Sequence, residues 1–433
     1  MPHLGLKRRT ARAYLASRAR FGVKFGLDTM RALVEALDHP ESRYPSLLVA
    51  GTNGKGSVAA YVDACLRAAG LRVGRYTSPH LVRINERIAV DGRDIDDEGL
   101  EVGVGQVRQA AGALVRAGRI PAHPTHFEVL TAAAFDHFRR EAVDVAVLEV
   151  GMGGRLDATN VAEPLASAIV TVDRDHEAYL GSALDAIARE KAGVLRPGRP
   201  GVVGPVPAEA QAAVEEVAAH TGAVLVKAYD GVSVARTAGG IRVVTPAAAY
   251  DGLNPLPGRH QEDNLVVALR LLEVAREQGI AADLGRVPVG IARTRWPGRL
   301  QRIPGAPPLF LDGAHNPAAA RALAEHVAEL GPLVLVFGAM ADKHVAEMAR
   351  ILFPLARRGL VLTRPPLPRA ARPEEIAALA GELAEGAVLE QHPGAALARA
   401  RRLAGSDTPI LVAGSLYLVG EVLRRVQGVP KSN

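Results

Sequence analysis

Short runs of Val, Ile and Leu alternate with alanine-rich stretches of helical period from residue 46 onward, the pattern of repeated βαβ units around a mostly parallel sheet. The spacing predicts a strand over 47–51 and a helix over 57–70 that stops at Gly70. Further strands are expected at 143–150 and 167–172, with helices over 183–195 and 208–220. These elements describe a doubly wound N-terminal α/β domain over 1–295. A second series runs through strands 309–312, 333–338, 360–363, 387–391 and 409–414, with helices over 317–330, 344–356, 373–384 and 395–404 and a final helix. It predicts a smaller Rossmann-like α/β domain over 296–433, set off by a hinge in the Pro- and Gly-rich stretch Arg293–Pro308.

Charge and composition narrow the function classes. The 433 residues carry 52 Lys plus Arg against 46 Asp plus Glu, a net charge of +6 that suits small anionic ligands as well as nucleic acid. Aromatics are only 4% with one Trp, and no stretch interleaves basic and aromatic residues for base stacking, which argues against a nucleic-acid partner. The basic segment from Lys7 to Lys24 reads either as a docked helix or as a transit peptide or nucleic-acid arm. One cysteine, Cys65, excludes an intrachain disulfide and a thiolate zinc cluster, and it reads as a small core residue. No uncharged apolar run reaches the roughly 18–20 residues that cross a bilayer, and the N-terminus lacks a secretory apolar core. The expectation is a cytoplasmic chain with no membrane partner.

The strongest chemical signal is GTNGKGS at 51–57, between a predicted strand and helix. Glycines let successive N–H groups face a phosphate, the helix N-terminus adds positive potential, and Lys55 reaches the outer phosphates. The motif departs from the common G-x-x-x-x-G-K-[ST] pattern: Val49 stands at the first glycine and Gly56 separates Lys55 from Ser57. Other clusters fall at βα junctions, where parallel sheets bind ligands. TSPH at 77–80 is one, and EVGMGGRLDATN at 149–160 places Glu149 at a strand end, a position that suits a Mg²⁺ ligand or a salt-bridged carboxylate. VDRDHEAYLG and AREKAGVLRPG follow. Read alone, His176 is a hydrogen-bonded structural histidine, Lys191 a solvated helix lysine, and DGAHNP at 312–317 a helix-capping turn.

Taken together these residues resemble the folylpolyglutamate synthase and dihydrofolate synthase family, within the Mur ligase superfamily of ATP-dependent amide-forming ligases. The resemblance runs through nearly the whole chain: Phe25 to Leu27, GTNGKGS, TSPHL with ERI at 86–88, Thr125 to Glu128, EVGMGGRLDATN, DH followed by LG, EKAG, HQ-x-x-N at 260–264, PGR at 297–299, DGAHNP, and GSLYL at 414–418. It implies a P-loop ATPase-type N-terminal domain in which Thr52, Asn53, Gly54, Lys55, Gly56 and Ser57 hold the ATP phosphates, while Asn264, Arg299 and Asp312 contact the nucleotide. It further implies Ser78, Glu149 and His176 as ligands of Mg²⁺, and Lys191 as a lysine carbamylated by carbon dioxide that ligates a second Mg²⁺. Pterin recognition is assigned by the same resemblance to Ser17, Arg18, Ala19 and Arg20, to Thr125, His126, Phe127 and Glu128, and to Leu156, Asp157 and Ala158.

The chain departs from the family pattern at Asp173 and Arg174 ahead of Asp175, at His126, and at His344 after Lys343. The chemistry the resemblance implies is attack of a substrate carboxylate on ATP to give an acyl phosphate, then attack by the amine of L-glutamate, with Lys55, His176, Lys191 and His315 as catalytic candidates. The substrates expected are ATP, L-glutamate, dihydropteroate and reduced folates, in a bifunctional and monomeric enzyme. A folylpolyglutamate synthase without the second activity, another Mur-type amino acid ligase, a P-loop nucleic-acid ATPase and a non-catalytic nucleotide-binding regulator stand as alternatives.

Overall fold

All five residues of strand β1, Ser46–Ala50, are buried, because a strand covered by helices on both faces has no polar side to show. A computed structural model, which describes residues 10–18 and 26–429, places this strand inside an eight-stranded sheet. The sheet order is β4-β3-β2-β5-β1-β6-β7-β8. Its other members are β2 (Val73–Tyr76), β3 (Ile88–Val90), β4 (Arg93–Asp94), β5 (Val145–Glu149), β6 (Ala166–Ile169), β7 (Pro200–Val203) and β8 (Val224–Lys227). The strands from β2 to β8 run parallel, whereas β3 and β4 add an antiparallel edge. From β1 the chain leaves toward β2, and from β6 it leaves toward β7, in the opposite direction. Such a divergence opens a crevice at the carboxyl ends of the two neighbouring strands.

The described residues form two compact units. The first takes in the chain up to Pro79, then Asn85–Asn254 and Asn264–Arg293, and the second takes in His80–Ile84, Pro255–Asp263 and the chain from Thr294 onward. The first unit also holds a small antiparallel sheet, β9 (Ser233–Thr237), β10 (Gly240–Val244) and β11 (Ala249–Leu253), absent from the sequence reading. Its pattern is weak because β9 is mostly exposed. It is tied down by Tyr250, whose hydroxyl donates to Glu273 Oε1 at 2.9 Å in the helix His260–Glu277.

The second unit is built on a six-stranded sheet of order β12-β13-β17-β14-β15-β16. These strands are β12 (Gln301–Ile303), β13 (Leu309–Leu311), β14 (Val334–Phe337), β15 (Gly359–Thr363), β16 (Val388–Glu390) and β17 (Ile410–Ala413). Alternate side chains feed two cores, one on each face: Leu335, Phe337, Leu362 and Leu411 on one, Val334, Val336, Val361 and Val412 on the other. The stretch expected to be a hinge is partly folded, since β12 pairs antiparallel with β13 through Gln301 and Leu311. Its prolines and glycines bracket an edge strand, the place in a sheet where they are tolerated.

Candidate active site

The loop after β1 is fastened to the end of β6. Thr52 N–H donates to Thr171 O at 2.8 Å, its hydroxyl donates to Asp173 O at 3.0 Å, and Asn53 N–H donates to Thr171 Oγ1 at 2.9 Å. Gly54 then caps the helix Lys55–Ala68 with φ of 82°, a left-handed conformation that favours glycine. A Cβ at Gly54 would collide with Asn264 Oδ1, so the loop packs directly on that amide. Lys55 Nζ folds back over the loop, donating to Gly51 O at 2.8 Å and Thr52 O at 3.1 Å. Gly56 and Ser57 are buried in the first turn. A glycine loop that closes on a helix N-terminus, with a lysine folded over it, is an arrangement that suits an anion.

Beside it, Glu149 ends β5 in register with Val49 of β1 and is 5% exposed. Its Oε2 accepts the Ser78 N–H at 2.9 Å, so the two residues read as metal ligands meet. A buried carboxylate with a neighbouring hydroxyl residue is a hard-oxygen donor set, which fits Mg²⁺. Among the described residues no group of three or more His, Cys, Asp and Glu is gathered to hold a metal. His176 lies on the surface of its loop with φ of 54°, its N–H donating to Asp175 Oδ1 at 2.8 Å.

Lys191 is not a solvated helix lysine: it is 3% exposed. Burial, reinforced by the charge of Lys55 and opposed by Asp175, brings its pKa down to about 7. The loop after β5 holds it there. Arg155 N–H donates to Glu190 O at 2.8 Å, and a Cβ at Gly154 would come within 2.7 Å of Lys191 O. Near neutrality a share of this side chain is therefore unprotonated and nucleophilic.

The residues read as pterin contacts sit on three segments of the first unit. Thr125 and Glu128 form a reciprocal capping box at the start of the helix His126–Arg140, and Glu128 Oε1 is buried without a hydrogen-bond partner. His126 Nδ1 lies 3.1 Å from Leu15 O, and because a carbonyl only accepts, that nitrogen carries the proton. Burial, then the Arg87 charge, holds the imidazole pKa below its ordinary value. Phe127 rests on Gly151, where a Cβ would approach its ring to 2.6 Å. Ser17 and Arg18 end the helix Ala11–Arg18, with Ser17 Oγ donating to Tyr14 O at 2.6 Å and the Arg18 guanidinium 5.5 Å from the Tyr14 ring centre. Ala19, Arg20 and Phe25 lie outside the described residues. Asp157 holds the turn that carries Leu156 and Ala158: one oxygen accepts Gly151 and Met152 N–H, each at 3.0 Å, and the other accepts the Thr159 hydroxyl at 2.6 Å.

In the second unit Asp312 is buried with both oxygens engaged, by Leu300 N–H and Ala314 N–H at 2.8 Å each. Arg299 packs on Gly313, where a Cβ would strike its Nη1. His315 Nδ1 is 2.8 Å from Gly313 O. Sequence reasoning gave His260 no role, yet its Nδ1 is buried without a partner and the ring feels the charges of Asp312 and Arg299. Thr171, Asp173 and Asp175 were likewise unassigned, and the signal for them was their place at the end of a strand adjoining β1.

Comparison with known proteins gives the family of the chain. Residues 49–272 match the family described as Mur ligase middle domain, and residues 298–416 match Mur ligase, glutamate ligase domain. The dihydrofolate synthase/folylpolyglutamate synthase of Bacillus subtilis strain 168 is 33% identical over 428 residues, 96% of this chain and 98% of that protein. The solved structure of Escherichia coli FolC in complex with DHPP and ADP superposes with a TM-score of 0.87 at 28% identity, covering 97% of this chain and 98% of that one. The Yersinia pestis bifunctional folylpolyglutamate synthase/dihydrofolate synthase complexed with AMPPNP and Mn ion gives 0.84 at 31% identity over 96% and 98%.

Proposed function

The chain belongs to the dihydrofolate synthase and folylpolyglutamate synthase family of Mur ligases, ATP-dependent amide-forming enzymes, and from that premise we propose that it joins L-glutamate to dihydropteroate and to the γ-carboxylate of reduced folates. The observation that carries this reading is the cradle Thr52–Ser57, with Lys55 laid across it and the Ser78–Glu149 pair beside it. The loop N–H groups and Lys55 hold the β- and γ-phosphates of ATP, with Asn264, Arg299 and Asp312 as further nucleotide contacts. The substrate carboxylate attacks the γ-phosphorus and releases ADP, and the amine of L-glutamate then attacks the acyl carbon of the acyl phosphate and expels inorganic phosphate. Mg²⁺ held by Ser78, Glu149 and His176 would neutralise the phosphate oxygens as charge builds.

Lys191 belongs to the same scheme. Its neutral amine adds to carbon dioxide and loses a proton, giving a carbamate whose negative charge suits a second Mg²⁺. The pterin sits against Phe127 and His126, where Glu128 Oε1 supplies an acceptor, with Ser17 and Arg18 and the Leu156–Ala158 turn around it. His315, whose Nδ1 lies 2.8 Å from Gly313 O and so carries the proton, takes up the proton of the attacking amine at its other ring nitrogen. The enzyme works as a monomer in the cytoplasm, without nucleic acid. No described helix is long and apolar enough to cross a membrane. Isotope transfer tests the scheme: heavy oxygen in the substrate carboxylate appears in the released phosphate if an acyl phosphate forms, and its absence there removes that intermediate.

A further inference from the structure

At the carboxyl end of β15 two successive residues bury polar atoms that find no partner: Thr363, fully buried, at its Oγ1, and Arg364 at its Nε. Buried donors are nearly always paired in a folded chain, so these two call for an explanation, and of the pair Arg364 lines a cavity while Thr363 lies behind it. Arg364 opens onto a cavity of about 330 Å³ that lies wholly within the second unit. Four prolines line it, and because each fixes its own φ, the walls are formed before anything binds.

The charges around the cavity favour an anion. Glu421 is the one acid lining it, and Arg424, outside the lining, grips that carboxylate with two bonds, at 2.8 and 3.0 Å. Arg425 gives Glu421 its Nε at 2.6 Å, and its Nη1 lies against Gly394, where a Cβ would strike it. Arg364, Arg424, Arg425 and Arg372, which holds Glu375, stand against Glu421, Glu375 and Glu374, which accepts the Gln391 amide, and leave one net positive charge. His392 and Pro393, at the mouth, begin the helix Pro393–Ala404, which has no side-chain cap and turns its positive end toward the same space. Arg364, whose Nη2 donates to Pro368 O at 2.8 Å and whose Nε has no partner, together with Arg425 and an uncapped helix start, is the chemistry that recognises phosphate and carboxylate groups.

We propose that this cavity is a second binding site, for a small molecule bearing a phosphate or carboxylate group held by Arg364 and Arg425. It shares no residue with the phosphate cradle or with the pterin segments, so binding there is separable from binding at either.

Amide hydrogen exchange of the full chain, resolved by peptide, tests this with inorganic phosphate and with succinate as separate probes. The expected result is saturable protection of the amides in 363–369 and 391–396, distinct from any protection at 51–57. The half-saturating concentration rises about tenfold or more in Arg364→Gln, and Arg364→Lys, which keeps the charge but loses the fork, falls between. Protection by phosphate alone assigns a phosphoryl ligand, and protection by both probes assigns the shared anionic group. Arg425→Gln repeats the test from the other wall, and unchanged exchange in the β14 peptide verifies that each variant is folded. Protection confined to 51–57, or pocket protection of equal midpoint in wild type and both variants, overturns the proposal.

Discussion

Asn53 and Thr171 hold one another in both directions: Asn53 N–H donates to Thr171 Oγ1 at 2.9 Å, and the same hydroxyl donates to Asn53 O at 3.0 Å. The two residues are 118 apart in sequence and meet because β1 and β6 are neighbours in the sheet. One hydroxyl thus fixes the backbone of the glycine loop at Asn53.

Thr171→Val keeps the side-chain shape and deletes both bonds, each worth about 1 kcal/mol. The KM for ATP is expected to rise about tenfold with little change in Tm, and Thr171→Ser to stay close to wild type. Steady-state kinetics with ATP varied checks it, and equal KM values in the Val and Ser variants would sink the assignment.

Gly54→Ala puts a Cβ into Asn264 Oδ1 at a backbone angle of φ 82°. The left-handed conformation alone costs alanine about 1–2 kcal/mol, and the collision adds to it. Calorimetry should show ADP affinity reduced by at least about tenfold. Undiminished affinity would mean the loop reshapes on binding.

The chemistry-bearing loops were legible because each is contiguous and sits at a strand-to-helix junction. GTNGKGS lies between β1 and the helix Lys55–Ala68, and Glu149 ends β5, as the pattern indicated. What sequence could not give depends on which strands are neighbours. Thr171 becomes a partner of the loop only through the β1–β6 pairing, and Lys191 is buried only because the loop after β5 packs on its helix. Local periodicity read that lysine as solvated. The β9–β11 sheet escaped notice because β9 is mostly exposed and so lacks a clean alternation. Strand β12 was hidden by the prolines and glycines around it. Cys65, read as a core residue, is buried, and burial lifts its thiol to about 12.

Lys191 predicts a pH signature. Its pKa falls from 10.5 to about 7 on folding, so between those values the unfolded chain binds the proton and the folded one does not. Stability of the wild type relative to Lys191→Met therefore rises with pH from about 7 to 10.5 in carbon dioxide-free buffer, and the difference is flat below that window. Parallel denaturation midpoints across this range would contradict a buried lysine.

Lys191→Ala should lose activity by about a hundredfold, with part of it restored by acetate or formate standing in for the carbamate. Turnover rates with and without those anions check it. Full activity in the unsupplemented variant would remove the carbamate from the scheme.

Lys55→Ala should abolish turnover, a loss of at least about a thousandfold, while circular dichroism and Tm stay near wild type. Near-normal turnover would mean the cradle is not the nucleotide site.

The decisive measurement is ADP release by the purified chain with Mg²⁺, ATP and L-glutamate present and dihydropteroate, tetrahydrofolate or no pterin compared in parallel. Release is expected with each pterin and only at background without one. Release that is no greater with either pterin than in its absence would contradict it.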